Sequence, residues 1–276
     1  MKTCEFRTKY NDIYIIPFSD IHIGDKGFTK KSENKLKGYI KWVKETPNAF
    51  AVLNGDILNV ATQSSKSSVF DQDMTLQEQI DKAGRLFSPI RDKILGAIDG
   101  NHEQRLSVFS GYSPTISICE KLKIPYFNYS VVYFLRLGLR TINKAKNTHS
   151  TRATFTMYAH HTTGGGGSTG SKINRVTKLS EIIPNADCYI GSHNHALIAS
   201  HEMTMIANQT TGKVDAIRQM FVDTGSYLDW DDGYAEMKQL SPAKLGSPKI
   251  HFITKQYRGE GRTTCNLVKK DIHVSI

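Results

Sequence analysis

Cysteine is scarce in this chain: Cys4, Cys119, Cys188 and Cys265 are the four in 276 residues, with no C-x-x-C pair among them. That excludes a disulfide framework and predicts reduced thiols that carry no chemistry. Long apolar runs are missing as well. The most apolar stretch, Val131 to Leu139, is broken by Arg136 and falls far short of the roughly 20 residues a membrane-crossing helix needs. The first dozen residues mix charges with Cys4 and Phe6 and lack the apolar core of a secretory leader, so a cytoplasmic protein without membrane association is expected. With only 8 prolines and 39% apolar residues, wholesale disorder is excluded. Carboxylates are outnumbered: 26 Asp and Glu face 36 Lys and Arg, a net charge of +10. This balance favours an anionic partner, nucleic acid first.

What is present is an alternation of short apolar runs and amphipathic segments. Ile13–Phe18, Ala49–Leu53 and Ile94–Ile98 read as buried strands. Ser32–Glu45 has Leu36, Tyr39, Ile40 and Val43 at helical spacing, with Ser32 as the expected N-cap. Thr75–Ile90 repeats the pattern with Leu76, Ile80, Ala83 and Phe87. Ser113-Pro114 opens another helix, and Lys172–Ile183 aligns Ile173, Val176, Leu179 and Ile183. Strands follow at Cys188–Gly191, Leu197–Ala207, Val214–Val222 and Lys249–Thr254. Early β-α alternation followed by strands predicts an α/β protein. With no linker and no repeat, one domain over residues 1–276 is expected.

Six of the ten histidines fall at or just beyond expected strand ends: His22, His102, His160, His161, His193 and His195. The first strand runs into Asp20-Ile21-His22, the second into Gly55-Asp56, the third into Gly100-Asn101-His102-Glu103. Strand C-terminal ends in such sheets converge on one crevice, and Asp, Asn and His arriving there suit first-row divalent metals. Each motif alone is an ordinary turn; the ordered set is not.

In that order the motifs resemble the calcineurin-like metallophosphoesterases: D-x-H, G-D, G-N-H-[ED], a lone histidine after a strand, and G-H-x-H. The resemblance covers Ile13 to about Tyr227. It implies a four-layer α/β/β/α sandwich of two mixed sheets flanked by helices, and two divalent metals, Mn first, with Fe, Zn or Mg as alternatives. By position, Asp20, His22 and His195 would hold one metal. Asn101, His193 and either His160 or His161 would hold the other, with Asp56 bridging and a metal-activated water as nucleophile. His102 would act as general acid, and Arg105 would contact phosphate. Ser192 departs from the family's usual glycine.

Two further readings concern the substrate. The sixty residues from Lys121 to Ser180 hold ten Lys and Arg and no carboxylate. Arg136–Arg152 reads as two strands joined by a basic turn, whose Arg140, Lys144 and Lys146 would contact a polyanion. The glycine-rich stretch Thr162–Gly170 lacks the G-K-[ST] of a P-loop and reads instead as a backbone cradle for phosphate or a loop. The second motif continues Ile57-Leu58-Asn59-Val60, without the second aspartate and arginine of the phosphoprotein phosphatase branch. A metal-dependent phosphodiesterase or nuclease is therefore expected, with a phosphomonoesterase as the alternative.

Overall fold

The short apolar runs become strands of two sheets packed face to face. The computed structural model describes residues 1–62, 71–138, 153–164, 167–209, 212–230, 244–258 and 266–276. One sheet has the order β11 (Asn266–Ser275), β10 (Lys249–Arg258), β2 (Asp12–Phe18), β3 (Ala49–Asn54), β4 (Ile94–Ile98). Within it β2, β3 and β4 run parallel, and β10 and β11 run antiparallel. The other sheet has the order β1 (Lys2–Arg7), β5 (Ser130–Leu137), β6 (Ala153–His160), β7 (Cys188–Gly191), β9 (Lys213–Thr224), β8 (Leu197–Asn208). There β6, β7 and β9 are parallel neighbours.

Alternation along each strand assigns the layers. Ile13 and Ile15 of β2, with Val52 and Phe252, face Tyr133, Phe155, Met157, Ile190 and Val222 of the second sheet. Phe155 and Phe252 meet edge-on across that interface, ring centroids 5.2 Å apart. The opposite face of the first sheet, with Ile16, Phe18 and Leu53, packs on α1 (Lys30–Glu45), α2 (Leu76–Phe87) and α4 (Pro114–Leu122). The outer face of the second, with Val132, Tyr158 and Tyr189, packs on α5 (Thr169–Thr177) and α6 (Leu179–Ile182). The result is the expected two mixed sheets between helical layers. Among the described residues no helix is long and apolar enough to cross a membrane.

The structure moves several boundaries. Helix α1 is capped by Thr29, whose hydroxyl accepts from the Ser32 backbone N–H, so Ser32 lies inside the first turn rather than at the cap. Thr75 caps α2 through a reciprocal box with Glu78, and Pro89 sits at the start of the 3₁₀ turn Ser88–Lys93 that follows. The single helix expected over 172–183 is two helices with Lys178 between them. The strands expected within 136–152 lie outward of it, as β5 and β6; residues 139–152 are outside the described residues. Strands β1 and β11 have no forerunner in the sequence reading, because both are sheet-edge strands with largely exposed, charged residues.

Lys93 closes the C-terminal end of α1 from a distance: its Nζ donates to the carbonyls of Val43 at 2.8 Å and Thr46 at 2.6 Å. A cation on the last carbonyls of a helix is favoured by both hydrogen bonding and the helix dipole. Lys93→Met, which keeps the stem, is expected to cost about 1–2 kcal/mol in a denaturant titration; an unchanged midpoint would show the contact to be dispensable.

Candidate metal centre

The C-terminal ends of β2, β3, β4, β6 and β7 meet at one edge of the interface between the sheets, and the chain turns sharply at each. Asp20 (φ 49°), His22 (φ 52°), Asp56 (φ 49°), His193 (φ 77°) and His195 (φ 52°) all adopt left-handed backbone, a region that costs a non-glycine residue energy and clusters at functional sites. Glycine is required at the two tightest points. A Cβ on Gly100 would come 2.1 Å from Asp56 Oδ1, and one on Gly55 (φ 84°) 2.7 Å from His161 Nδ1.

The side chains form two groups joined at Asp56. In the first, His195 Nε2 lies 3.4 Å from Asp20 Oδ1 and 3.2 Å from His22 Nε2, which is 4.0 Å from Asp56 Oδ2. In the second, His161 Nε2 lies 3.2 Å from Asp56 Oδ2 and 3.1 Å from Asn101 Oδ1, and His193 Nδ1 lies 2.6 Å from the same amide oxygen. Asp20, His22 and Asp56 are almost wholly buried.

These donors fit divalent cations. Two ligand atoms each about 2.1 Å from one ion stand roughly 3.0–3.4 Å apart at octahedral to tetrahedral angles, and most of the spacings above fall there. The Asn101 amide belongs to the same group: the His161 and His193 ring nitrogens lie 3.1 and 2.6 Å from its inward end and an Arg105 nitrogen lies 3.1 Å from its outer end, so its oxygen can be turned to a cation.

Supporting contacts hold the ligands. Asp20 accepts from the His193 backbone N–H, and Asp56 Oδ1 from that of His102 at 2.9 Å. The buried Glu103 carboxyl accepts from the backbone N–H groups of Asp56, Leu58 and Gly100 at 2.9–3.0 Å, tying the second and third motifs together. Burial and the neighbouring Asp56 charge push its pKa up to about 8 against the hydrogen bond from Leu58. Ser192 is more than a spacer, since its hydroxyl lies 2.8 Å from His161 Nδ1 and donates to the Asn54 carbonyl at 2.9 Å. Asn194, between the two histidines of its turn, donates to Asp223 at 2.9 Å, and burial pushes Asp223 up to about 7. Asn54, Asn194 and Asp223 went unnoticed in the sequence. They are common residue types whose role comes from contacts with residues 29 to 138 positions away.

Of the two adjacent histidines, only His161 joins the group. Strand β6 directs Phe155, Met157 and Ala159 into the core between the sheets and Tyr158 outward. His160 follows Tyr158, with ring centroids 6.4 Å apart, on the helix-covered face. His102 sits beside the ligands: its Nδ1 is 2.6 Å from the Asn59 carbonyl, which can only accept, so Nδ1 carries the proton and Nε2 stands 3.9 Å from Asp56 Oδ2. Arg105 follows one turn on in α3 (Asn101–Ser110). Arg140, Lys144 and Lys146 lie outside the described residues.

Burial lowers the pKa of His22, His102 and His193, keeping them neutral as ligands or acceptors require. His161 and His195 go the other way: burial would lower both, but the charge of Asp56 and the hydrogen bond to it raise His161 to about 10, and the hydrogen bond to Asp20 and its charge raise His195. At neutral pH the His161 ring thus favours a second proton at the position a cation would take. Metal binding at neutral pH must expel it. Calorimetric titration in buffers of different ionisation enthalpy is expected to report at least one proton released per chain, and affinity should rise about tenfold per pH unit below pH 9. A buffer-independent enthalpy would contradict the assignment of His161.

No protein-family model and no curated protein sequence matches this chain. Three solved structures align with it along nearly its full length. One is a conserved uncharacterised protein, a predicted phosphoesterase, from Streptococcus pneumoniae: 12% identity, 95% of this chain and 98% of that one, TM-score 0.34. Vps29 of Chaetomium thermophilum aligns at 10% identity over 96% of this chain and 98% of that one, TM-score 0.36. The NAD nucleotidase of Haemophilus influenzae aligns at 11% identity over 97% of this chain and 51% of that one, TM-score 0.35.

Proposed function

We propose that the chain is a binuclear metal-dependent phosphoesterase of the calcineurin-like type, acting on nucleic-acid phosphodiesters. The observation that carries this reading is the convergence of Asp20, His22, Asp56, Asn101, His161, His193 and His195 on two adjoining donor groups, with His102 beside them. Asp20, His22 and His195 would hold one ion, and Asn101, His161 and His193 the other, with Asp56 shared. Two ions held there would supply charge neutralisation for a phosphoryl group and a water acidic enough to attack at neutral pH.

The chain's own groups do the rest. Asp56, shared between the donor groups, offsets part of the repulsion between two dications. The backbone N–H groups on Asp20 and Asp56 keep both carboxylates aimed without rotamer freedom. His102, oriented by the Asn59 carbonyl, presents Nε2 to the leaving oxygen. It takes up a proton as the anionic substrate arrives and hands it to that oxygen as the P–O bond breaks. Arg105 is positioned to steady a non-bridging phosphate oxygen.

Two features favour a diester of nucleic acid over a phosphoprotein. His102 is oriented by a backbone carbonyl, and the second motif has Asn59 and Val60 where the phosphoprotein branch has Asp and Arg. The Lys121–Ser180 span has no carboxylate, although Lys121 pairs with Asp81 and Arg136 with Glu5. The test is one panel with Mn²⁺: a chromogenic monoester, a chromogenic diester, and single- and double-stranded DNA and RNA. Cleavage of nucleic acid and the diester is expected, with binding that weakens steeply with salt. Rapid monoester turnover with nucleic acid untouched would replace this reading by a phosphomonoesterase.

A further inference from the structure

Helix α3 begins in the metal centre and leads out of it. Arg105 and Phe109 follow His102 at i+3 and i+7, the spacing of one helical face. At 1.5 Å rise per residue, Phe109 stands about 10 Å beyond His102 along that face, or about three stacked-base steps of roughly 3.4 Å. Glu103, the buried residue of the helix, lies about a third of a turn around the axis from Phe109, and Leu106 packs against the core beside it. Phe109 is 88% exposed and its neighbour Val108 85%; Tyr112, just past the left-handed C-cap Gly111, is 41% exposed. Among the described residues, Phe109 belongs to none of the apolar clusters of the fold, so its ring stands in water one turn beyond the Arg105 cation.

We infer that Phe109 is a stacking platform for an unpaired base on the leaving-group side of the scissile phosphate. The substrate class would then be single-stranded nucleic acid or an unpaired end. This rests on the phosphodiesterase reading above, which puts His102 at the leaving oxygen. Exposed aromatics beside cations are how proteins hold single strands without reading sequence, because every base has a π-face. Arg105, between His102 and Phe109, keeps its phosphate contact on the same face of the helix. Charge favours this occupant over a second copy of the chain, since each copy carries +10 and two copies repel.

The test uses a fluorescein-labelled oligothymidylate about a dozen nucleotides long, titrated by anisotropy in EDTA so that it is not cleaved. An abasic oligomer of equal length, with the same phosphates and no bases, serves as the second probe. Phe109→Ala is expected to weaken oligothymidylate binding roughly 5- to 100-fold. Phe109→Trp should restore it, and the abasic oligomer should bind all three proteins alike. Equal losses on both probes, or no loss on either, would overturn the inference while leaving nuclease activity intact. A wild-type dimer in sedimentation that Phe109→Ala splits would overturn it too, by giving the patch to a second copy. A wild type that binds neither probe and cleaves no nucleic acid would overturn the phosphodiesterase reading, and this inference with it.

Discussion

Asp56→Asn is expected to leave the protein folded, deprived of at least one of two bound divalent ions, and slowed by more than the roughly 10²-fold typical of losing an outer contact to a metal ligand. The residue lies in both donor groups, within 4.0 Å of His22 and 3.2 Å of His161. Its replacement therefore weakens both ion positions at once. An amide offers one neutral oxygen where a carboxylate offers two charged ones, so two neighbouring dications would repel each other with less to offset them. The other Asp56 contacts survive the change in part: Oδ1 still accepts from the His102 backbone N–H. Metal analysis of Mn²⁺-saturated protein checks the result. Two ions per wild-type chain and fewer in the variant are expected. At most one ion in the wild type, with none near Asp56, would sink the binuclear reading.

His102→Asn should behave differently. If His102 delivers a proton to the leaving oxygen and is not a ligand, its loss should cut turnover roughly 10²–10⁴-fold while sparing metal content. The cost should shrink for leaving groups that depart readily as anions, because they need less protonation. The pH profile supplies a second check. Burial holds this imidazole below its ordinary range, and an acid is active only while protonated. The wild-type rate should therefore fall as pH rises through the pKa of the ring in the enzyme–substrate complex, and the variant should lose that limb. Equal losses for good and poor leaving groups, or loss of metal along with rate, would remove the acid role.

How far the site was legible in the sequence depended on the kind of information each residue carries. The D-x-H, G-D, G-N-H-E and H-x-H groups could be read because their residue types and order are constrained by chemistry. Few arrangements other than a metal site need Asp, Asn and His at five strand ends. Strands were legible where apolar residues are dense, as in β2, whose Ile13 and Ile15 the fold places on one face and Ile16 and Phe18 on the other. Thr29 was missed as the α1 cap because Ser32 competes for that role by type alone, and only the backbone path decides between them. Strand β1 was missed because at a sheet edge hydrogen bonds to β5 hold it and little burial is needed.

By itself, then, the sequence determined an α/β chain, its principal strands and helices, and the residue types of a candidate metal centre. Those follow from local periodicity and from chemistry carried by single residues. Tertiary structure alone decided between His160 and His161, since strand parity against the opposing sheet turns one ring to the helices and the other to Asp56. It alone brought Ser192 and Asn54 behind His161 and Asp223 behind Asn194, contacts between strands that are neighbours in the sandwich and distant in the chain. It also set Phe109 in open water on the face that starts at His102. A helical wheel yields that spacing, but which face meets the core and which meets solvent depends on where α3 leaves the sheet.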